Sequence, residues 1–218
     1  MIISYKYKFI FIHIYKTAGT SVCDAFSKYG QNPANRLSLP GRIVGKLPFR
    51  LPHYRLRYMP KHVKLVEMYQ VFPEALVDRY YKFAFVRNPW DWLVSQYQYI
   101  LENPENFEYD EVVRFKDFNE YLNWRLDSGR YDRQVDFVKN QQKQVDAHIF
   151  RFEALQESMD TICKETGLPQ IQIPHLNKSR RNDYRSYYSD DLAEQVSKVF
   201  CDDIHLFKYS FDPESGST

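Results

Sequence analysis

Phe9-Ile10-Phe11-Ile12-His13-Ile14-Tyr15-Lys16-Thr17-Ala18-Gly19-Thr20-Ser21 is the stretch on which the fold class turns. Its first six residues form a continuous β-rich run, the pattern of a strand buried on both faces in a parallel sheet. Small polar residues with one glycine follow, and Thr20 or Ser21 is placed to cap a short helix reaching Lys28. A buried strand that turns into a helix offers backbone N–H groups and the positive end of the helix dipole to one point, a favourable place for an anion. Gly19 is expected to let the backbone approach such a ligand. Thr17, Thr20 and Ser21 add hydroxyl donors, and Lys16 adds a mobile positive charge. The nucleotide loop GxxxxGK[ST] does not match, because Lys16 precedes the only glycine by three residues.

Working outward, Tyr80 to Val86 reads as a second buried strand that ends at Arg87. Asn88 then stands as a helix N-cap with Pro89 at the first helical position, and Leu93, Val94, Tyr97 and Ile100 or Leu101 recur at helical spacing. Further helices are expected from about Val63 to Val71 and from Phe118 to Leu126. A third strand covers Ala147 to Phe152, and the helix after it stops at Gly167-Leu168-Pro169. The last helix starts at Ser189, carries Asp190 and Asp191 in its first turn, and buries Leu192, Val196, Val199 and Phe200. Strands alternating with helices predict an α/β fold, a three-layer P-loop-like domain with a central, mainly parallel sheet flanked by helices. A single domain over residues 1–218 is expected, with a basic irregular segment at about 30–60 rich in Pro and Gly.

With 44% hydrophobic and 27% charged residues, the 218-residue chain has the composition of a globular protein with a real core. The formal net charge of +2 gives no global field for non-specific nucleic-acid binding. Its distribution is uneven, however. No acidic residue lies between Asp24 and Glu67, whereas nine basic ones do, from Lys28 to Lys64, which suggests an anionic ligand or acceptor. Cys23, Cys163 and Cys201 show no CxxC spacing and fit a reducing compartment. The opening apolar run is too short for a membrane helix and wrongly flanked for a signal peptide, so a cytoplasmic protein is expected.

In the second motif, FAFVRNPWDWLVSQY, Arg87 lies at a strand end and Ser95 inside the following helix. Pro89 to Ser95 covers roughly 9 Å of helix, a gap that an arginine side chain and a phosphate can bridge. The guanidinium offers planar, bidentate recognition and the hydroxyl a directional contact.

The two motifs, in this order and about seventy residues apart, resemble the PAPS-dependent sulfotransferases of family 2, the group that includes carbohydrate sulfotransferases. HIYKTAGTS looks like that family's 5′-phosphosulfate loop, which usually carries Pro where this chain has Tyr15. FVRNPWDWLVSQY looks like its 3′-phosphate element. The likeness continues through Arg151–Gln156 and Pro174–Leu192. The resemblance implies 3′-phosphoadenosine 5′-phosphosulfate (PAPS) as sulfuryl donor, held by Lys16, Thr17, Ala18, Gly19, Thr20, Ser21, Arg87 and Ser95. In the tail, Lys178 or Ser179 would add a contact, with Tyr184, Tyr187 and Tyr188 behind them.

In-line transfer to a hydroxyl acceptor is the expected reaction, the acceptor being a glycan or glycolipid. Lys16 would stabilise the bridging oxygen of the leaving group. A histidine near neutral pH suits the base. His62 is assigned that role, with His53 the competitor, while His13 is placed as structural and His175 near a pocket. No metal is required, and no ligand-spaced cluster suggests one. The rival readings are a P-loop kinase, which predicts Mg²⁺ dependence, and a non-catalytic module that holds a nucleotide or glycan without turnover.

Overall fold

The computed structural model describes residues 1–30, 61–173 and 182–212. They build two compact units. The first comprises Met1–Phe85 with Asp136–Leu176, and the second Val86–Val135 with Asn177–Thr218.

The first unit holds a four-stranded sheet in the order β1 (Ile2–Ser4), β2 (Phe9–Ile12), β3 (Tyr81–Val86), β4 (His148–Arg151). β2 and β3 are parallel, with Phe11 opposite Phe83 and Ile12 opposite Ala84, and β1 is antiparallel to β2. The expected α/β architecture is present, and the sheet is mixed because a short opening strand folds back along β2. Alternation along the strands sends Phe9, Phe11, Phe83 and Phe85 to one face. There they meet Val22, Cys23 and Phe26 of α1 (Gly19–Phe26), together with Met159, Ile162 and Cys163 from the helix Leu155–Thr166. Phe11 and Phe83 stack at 5.4 Å between ring centroids. Removing a fully buried phenylalanine such as Phe11 would cost about 3–5 kcal/mol.

The opposite face carries Ile10, Ile12, Ala84 and, unusually for a central strand, Lys82. Its ammonium is satisfied by Asp146 at 3.3 Å and by the carbonyl of Val77 at 3.2 Å, so a buried charge sits there with its counter-ion. α2 (Leu65–Val71) and α3 (Glu74–Asp78) precede β3. Tyr69 of α2 reaches Asp146 as well, at 2.7 Å.

The second unit is helical. α4 (Pro89–Glu102) begins where the sequence predicts, with the Asn88 side chain accepting from Trp90 N at 3.1 Å and Pro89 in the first turn. It buries Trp90, Trp92, Leu93, Val94, Tyr97 and Ile100. α5 (Phe118–Asp127) is capped by Asp117, and α6 (Asp190–Val199) by Ser189. Tyr187 and Tyr188 pack edge-on to Phe118, and Tyr188 donates its hydroxyl to Trp90 O at 2.9 Å. α7 (Cys201–Phe207) completes the unit. Among the described residues, no helix is long and apolar enough to cross a membrane.

Candidate functional site

The loop after β2 enters α1 through two left-handed residues, Lys16 and Ala18, each with φ of 62°. Such residues turn successive N–H groups toward one concave side, the backbone arrangement suited to anions, at a strain of about 1 kcal/mol or more each outside glycine. Ala18 is the N-cap, and it offers no side-chain hydrogen bond. This corrects the expectation that Thr20 or Ser21 caps the helix. Both lie in its first turn, Thr20 exposed and Ser21 half-buried, and α1 ends at Phe26 rather than Lys28. The first helical bond runs from Val22 N to Ala18 O at 3.1 Å. The amides of Gly19, Thr20 and Ser21 therefore precede any intrahelical carbonyl they could reach.

Two residues of the loop, Thr17 and Gly19, have duties inside the protein. Thr17 is fully buried and donates its hydroxyl to Ile14 O at 2.8 Å, so that proton braces the loop rather than reaching outward. Gly19 is required by a neighbour inside the protein. A Cβ there would lie 1.4 Å from His13 Nε2 and 2.0 Å from His13 Cδ2.

His13 is structural, as expected. It stacks on Phe11, and its Nδ1 stands 3.6 Å from the Cys23 sulfur. Burial, and then the positive neighbours Met1 amino group, His62 and Lys61, push its pKa down to about 2. Cys23 is a core residue, and burial pushes its thiol up.

His62 sits against this loop. Its Nδ1 is 3.0 Å from His13 O, and its ring lies 4.4 Å from the His13 ring and 5.7 Å from that of Tyr15. A carbonyl only accepts, so Nδ1 carries the hydrogen and Nε2 becomes the basic nitrogen of the neutral ring. Tyr15, where the resembling family carries Pro, packs edge-on to both His62 and Phe137. Aromatic contacts thus hold the loop entry that a proline ring would hold through φ.

The second motif lies at the end of β3. Arg87 is 8% exposed, and its Nη1 donates to Ser95 Oγ at 3.0 Å, while Nε faces Asp91 Oδ2 at 2.5 Å. The two residues singled out in sequence, eight positions apart, are therefore brought together. Asp91 was not singled out; it lies in the first turn of α4, which brings it back to Arg87 at the strand end. The backbone of Arg87 is held by Gln134, whose Oε1 accepts from Arg87 N at 2.9 Å and whose Nε2 donates to Arg87 O at 2.7 Å. No local pattern marks Gln134, which opens the four-residue helix Gln134–Phe137.

Lys178, Ser179, His53, His175 and the basic segment at residues 31–60 lie outside the described residues. Among the described residues no group of three His, Cys, Asp or Glu could hold a metal ion. The cysteines are free thiols, Cys23 and Cys163 buried and Cys201 half-buried.

Comparison with known proteins bears on this geometry. Residues 1–210 match the family described as the sulfotransferase family. An uncharacterized protein of Archaeoglobus fulgidus is 32% identical over 112 residues, which are 51% of this chain and 88% of that protein. The fold is similar to that of mouse sulfotransferase SULT7A1 complexed with PAP, at a TM-score of 0.52 and 16% identity, over 92% of this chain and 85% of the other. A sulfotransferase from Alicyclobacillus acidocaldarius gives a looser likeness, with a TM-score of 0.44 and 15% identity over 94% and 96% of the two chains.

Proposed function

Because the chain belongs to the sulfotransferase family, matched across residues 1–210, we propose that residues 1–218 act as one catalytic domain that transfers a sulfuryl group from PAPS to a hydroxyl acceptor. The observation that carries this reading is the 3.0 Å contact between Arg87 Nη1 and Ser95 Oγ. A buried guanidinium and a hydroxyl converge there, the pairing suited to the extra phosphate that distinguishes this donor from an ordinary nucleotide. The PAP in the complex of mouse SULT7A1 supports the same choice of donor.

The donor supplies a sulfuryl group already attached to a phosphate leaving group. Lys16 offsets the negative charge that builds on the bridging oxygen, and the amides of Ala18 to Ser21 hold the 5′ end. Arg87 and Ser95 hold the 3′-phosphate, with Lys178 or Ser179 adding a contact. His62 receives the acceptor's proton at Nε2 as the acceptor oxygen bonds to sulfur. The S–O bond to the 5′-phosphate breaks, and its electron pair leaves with adenosine 3′,5′-bisphosphate.

A glycan or glycolipid acceptor is supported by the basic stretch from Lys28 to Lys64, which contains no carboxylate to repel an anionic sugar. A cytoplasmic, reducing setting is supported by the free cysteines.

Thermal unfolding in the presence of adenosine 3′,5′-bisphosphate or of ATP–Mg²⁺ tests the donor. At a hundred times its dissociation constant, the bisphosphate should add about 2.7 kcal/mol of stability. A response to ATP–Mg²⁺ alone would sink the reading. With labelled PAPS and a screen of glycans, phenols and lipids, His62→Ala should lower turnover about 10²–10⁴-fold while bisphosphate affinity is kept. Unchanged turnover would remove His62 from the reaction.

A further inference from the structure

We infer that Gln134, fixed by Asp203, is a positioning residue that sets the backbone of Arg87 and thereby recognition of the donor's 3′-phosphate, an inference that rests on the proposed role of Arg87.

β3 ends at Val86, so Arg87 has left the strand but remains buried. A buried peptide group at such a place needs its N–H and C=O satisfied from elsewhere. Gln134 satisfies both at once, through its Oε1 and Nε2 at 2.9 and 2.7 Å. The pairing holds a direction only if the glutamine is itself held. Gln134 and Asp203 are both fully buried, and the Asp203 carboxylate accepts from Gln134 N and from Val135 N, each at 2.8 Å. The residues on either side of Arg87 are tied as well. Tyr209 donates its hydroxyl to Val86 O at 3.2 Å, and the Asn88 amide donates to Ser210 O at 2.9 Å.

Three consecutive residues are thus gripped by partners far away in sequence. Burying an amide and a carboxylate for this purpose carries a desolvation cost that an apolar filler at position 134 would not. What the polar pair adds is direction. The root of the Arg87 side chain is set through its backbone, and Ser95 and Asp91 then orient the guanidinium. Misplacement by ~1 Å is enough to cost up to about a hundredfold where geometry matters.

The test is calorimetric titration with adenosine 3′,5′-bisphosphate and with adenosine 5′-monophosphate, since the ratio of the two affinities isolates the 3′-phosphate. Gln134→Met removes both hydrogen bonds to the Arg87 backbone and should lower that ratio about tenfold through misplacement of the guanidinium, and leave monophosphate affinity unchanged. Asp203→Asn should move it the same way by less. In an Arg87→Ala background, Gln134→Met should change the ratio no further. Should Gln134→Met not fold, Gln134→Glu keeps the acceptor for Arg87 N, removes the donor to its carbonyl, and carries the same expectation.

A ratio lowered by Arg87→Ala but unmoved by the Gln134 and Asp203 variants would overturn the positioning role and leave the proposed function standing. Equal loss of both affinities would also overturn it, since that is what general loosening produces. A ratio unmoved by Arg87→Ala would remove the 3′-phosphate from Arg87 altogether, and the inference with it.

Discussion

The loop from His13 to Ser21 and the strand end from Val86 to Asn88 each follow a buried strand, yet they are built by opposite means. The loop is shaped largely from within. Two of its bonds are short in sequence, Thr17 to Ile14 and Val22 to Ala18, and it turns through left-handed backbone at Lys16 and Ala18, with His62 joining from outside at His13 O. The strand end is shaped from outside, by side chains at positions 134 and 209 and by the backbone at 210. The difference teaches where each region is vulnerable: the loop to steric change, the strand end to loss of polar partners spread along the chain.

The sharpest way to break this contrast is Gly19→Ala, with an expected loss of about 3 kcal/mol in denaturant unfolding. The added Cβ would collide with the buried His13 ring, which is pinned between Phe11 and His62. A second change, His13→Ala, should recover part of that loss. A cost of under about 0.5 kcal/mol for Gly19→Ala, the range of a neutral surface change, would show that steric fit does not govern the loop.

His13 also gives the loop a pH dependence. Its folded pKa is pushed down from 6.5 to about 2, so below about 6.5 the unfolded chain takes up a proton that the folded protein refuses. Stability from this residue is whole above that pH and falls as pH drops toward about 2, at up to ~1.4 kcal/mol per pH unit. Unfolding of His13→Asn measured between pH 7 and 4 should show a shallower acid loss than the parent. Equal slopes would place the acid sensitivity elsewhere.

Ser95→Ala should have the smallest effect. The hydroxyl sits half-buried on α4 and accepts from Arg87, so stability should change little while bisphosphate affinity falls about tenfold. A drop in melting temperature of several degrees with affinity intact would make Ser95 part of the packing, and the strand end would then be more like the loop.

Much of this was legible in the residues. The apolar runs at β2 and β3 announce buried strands, and Asn88-Pro89 announces the start of α4 through cap chemistry that acts within one turn. β1 was not legible, because three residues carry no usable period and its pairing depends on β2 folding alongside it. The cap at Ala18 was hidden for another reason. An alanine in left-handed backbone goes against its local preference, so only the surrounding structure can impose it. Gly19 stands out in sequence as the glycine of the loop, but nothing near it in sequence reveals that the His13 ring occupies the space a side chain would need.

By itself, the sequence determined the alternation of strands and helices and the presence of Lys16, Arg87 and Ser95 in ordered motifs. Those signals are periodicity, charge and capping, and they act over a few residues. The tertiary structure decided which of these side chains brace and which present themselves. It turned the Thr17 hydroxyl inward, set the His62 tautomer through a carbonyl, and recruited Gln134 and Asp203 to the backbone beside Arg87. These are polar contacts between distant segments. They come into being only when packing removes water from both partners and each must find the other.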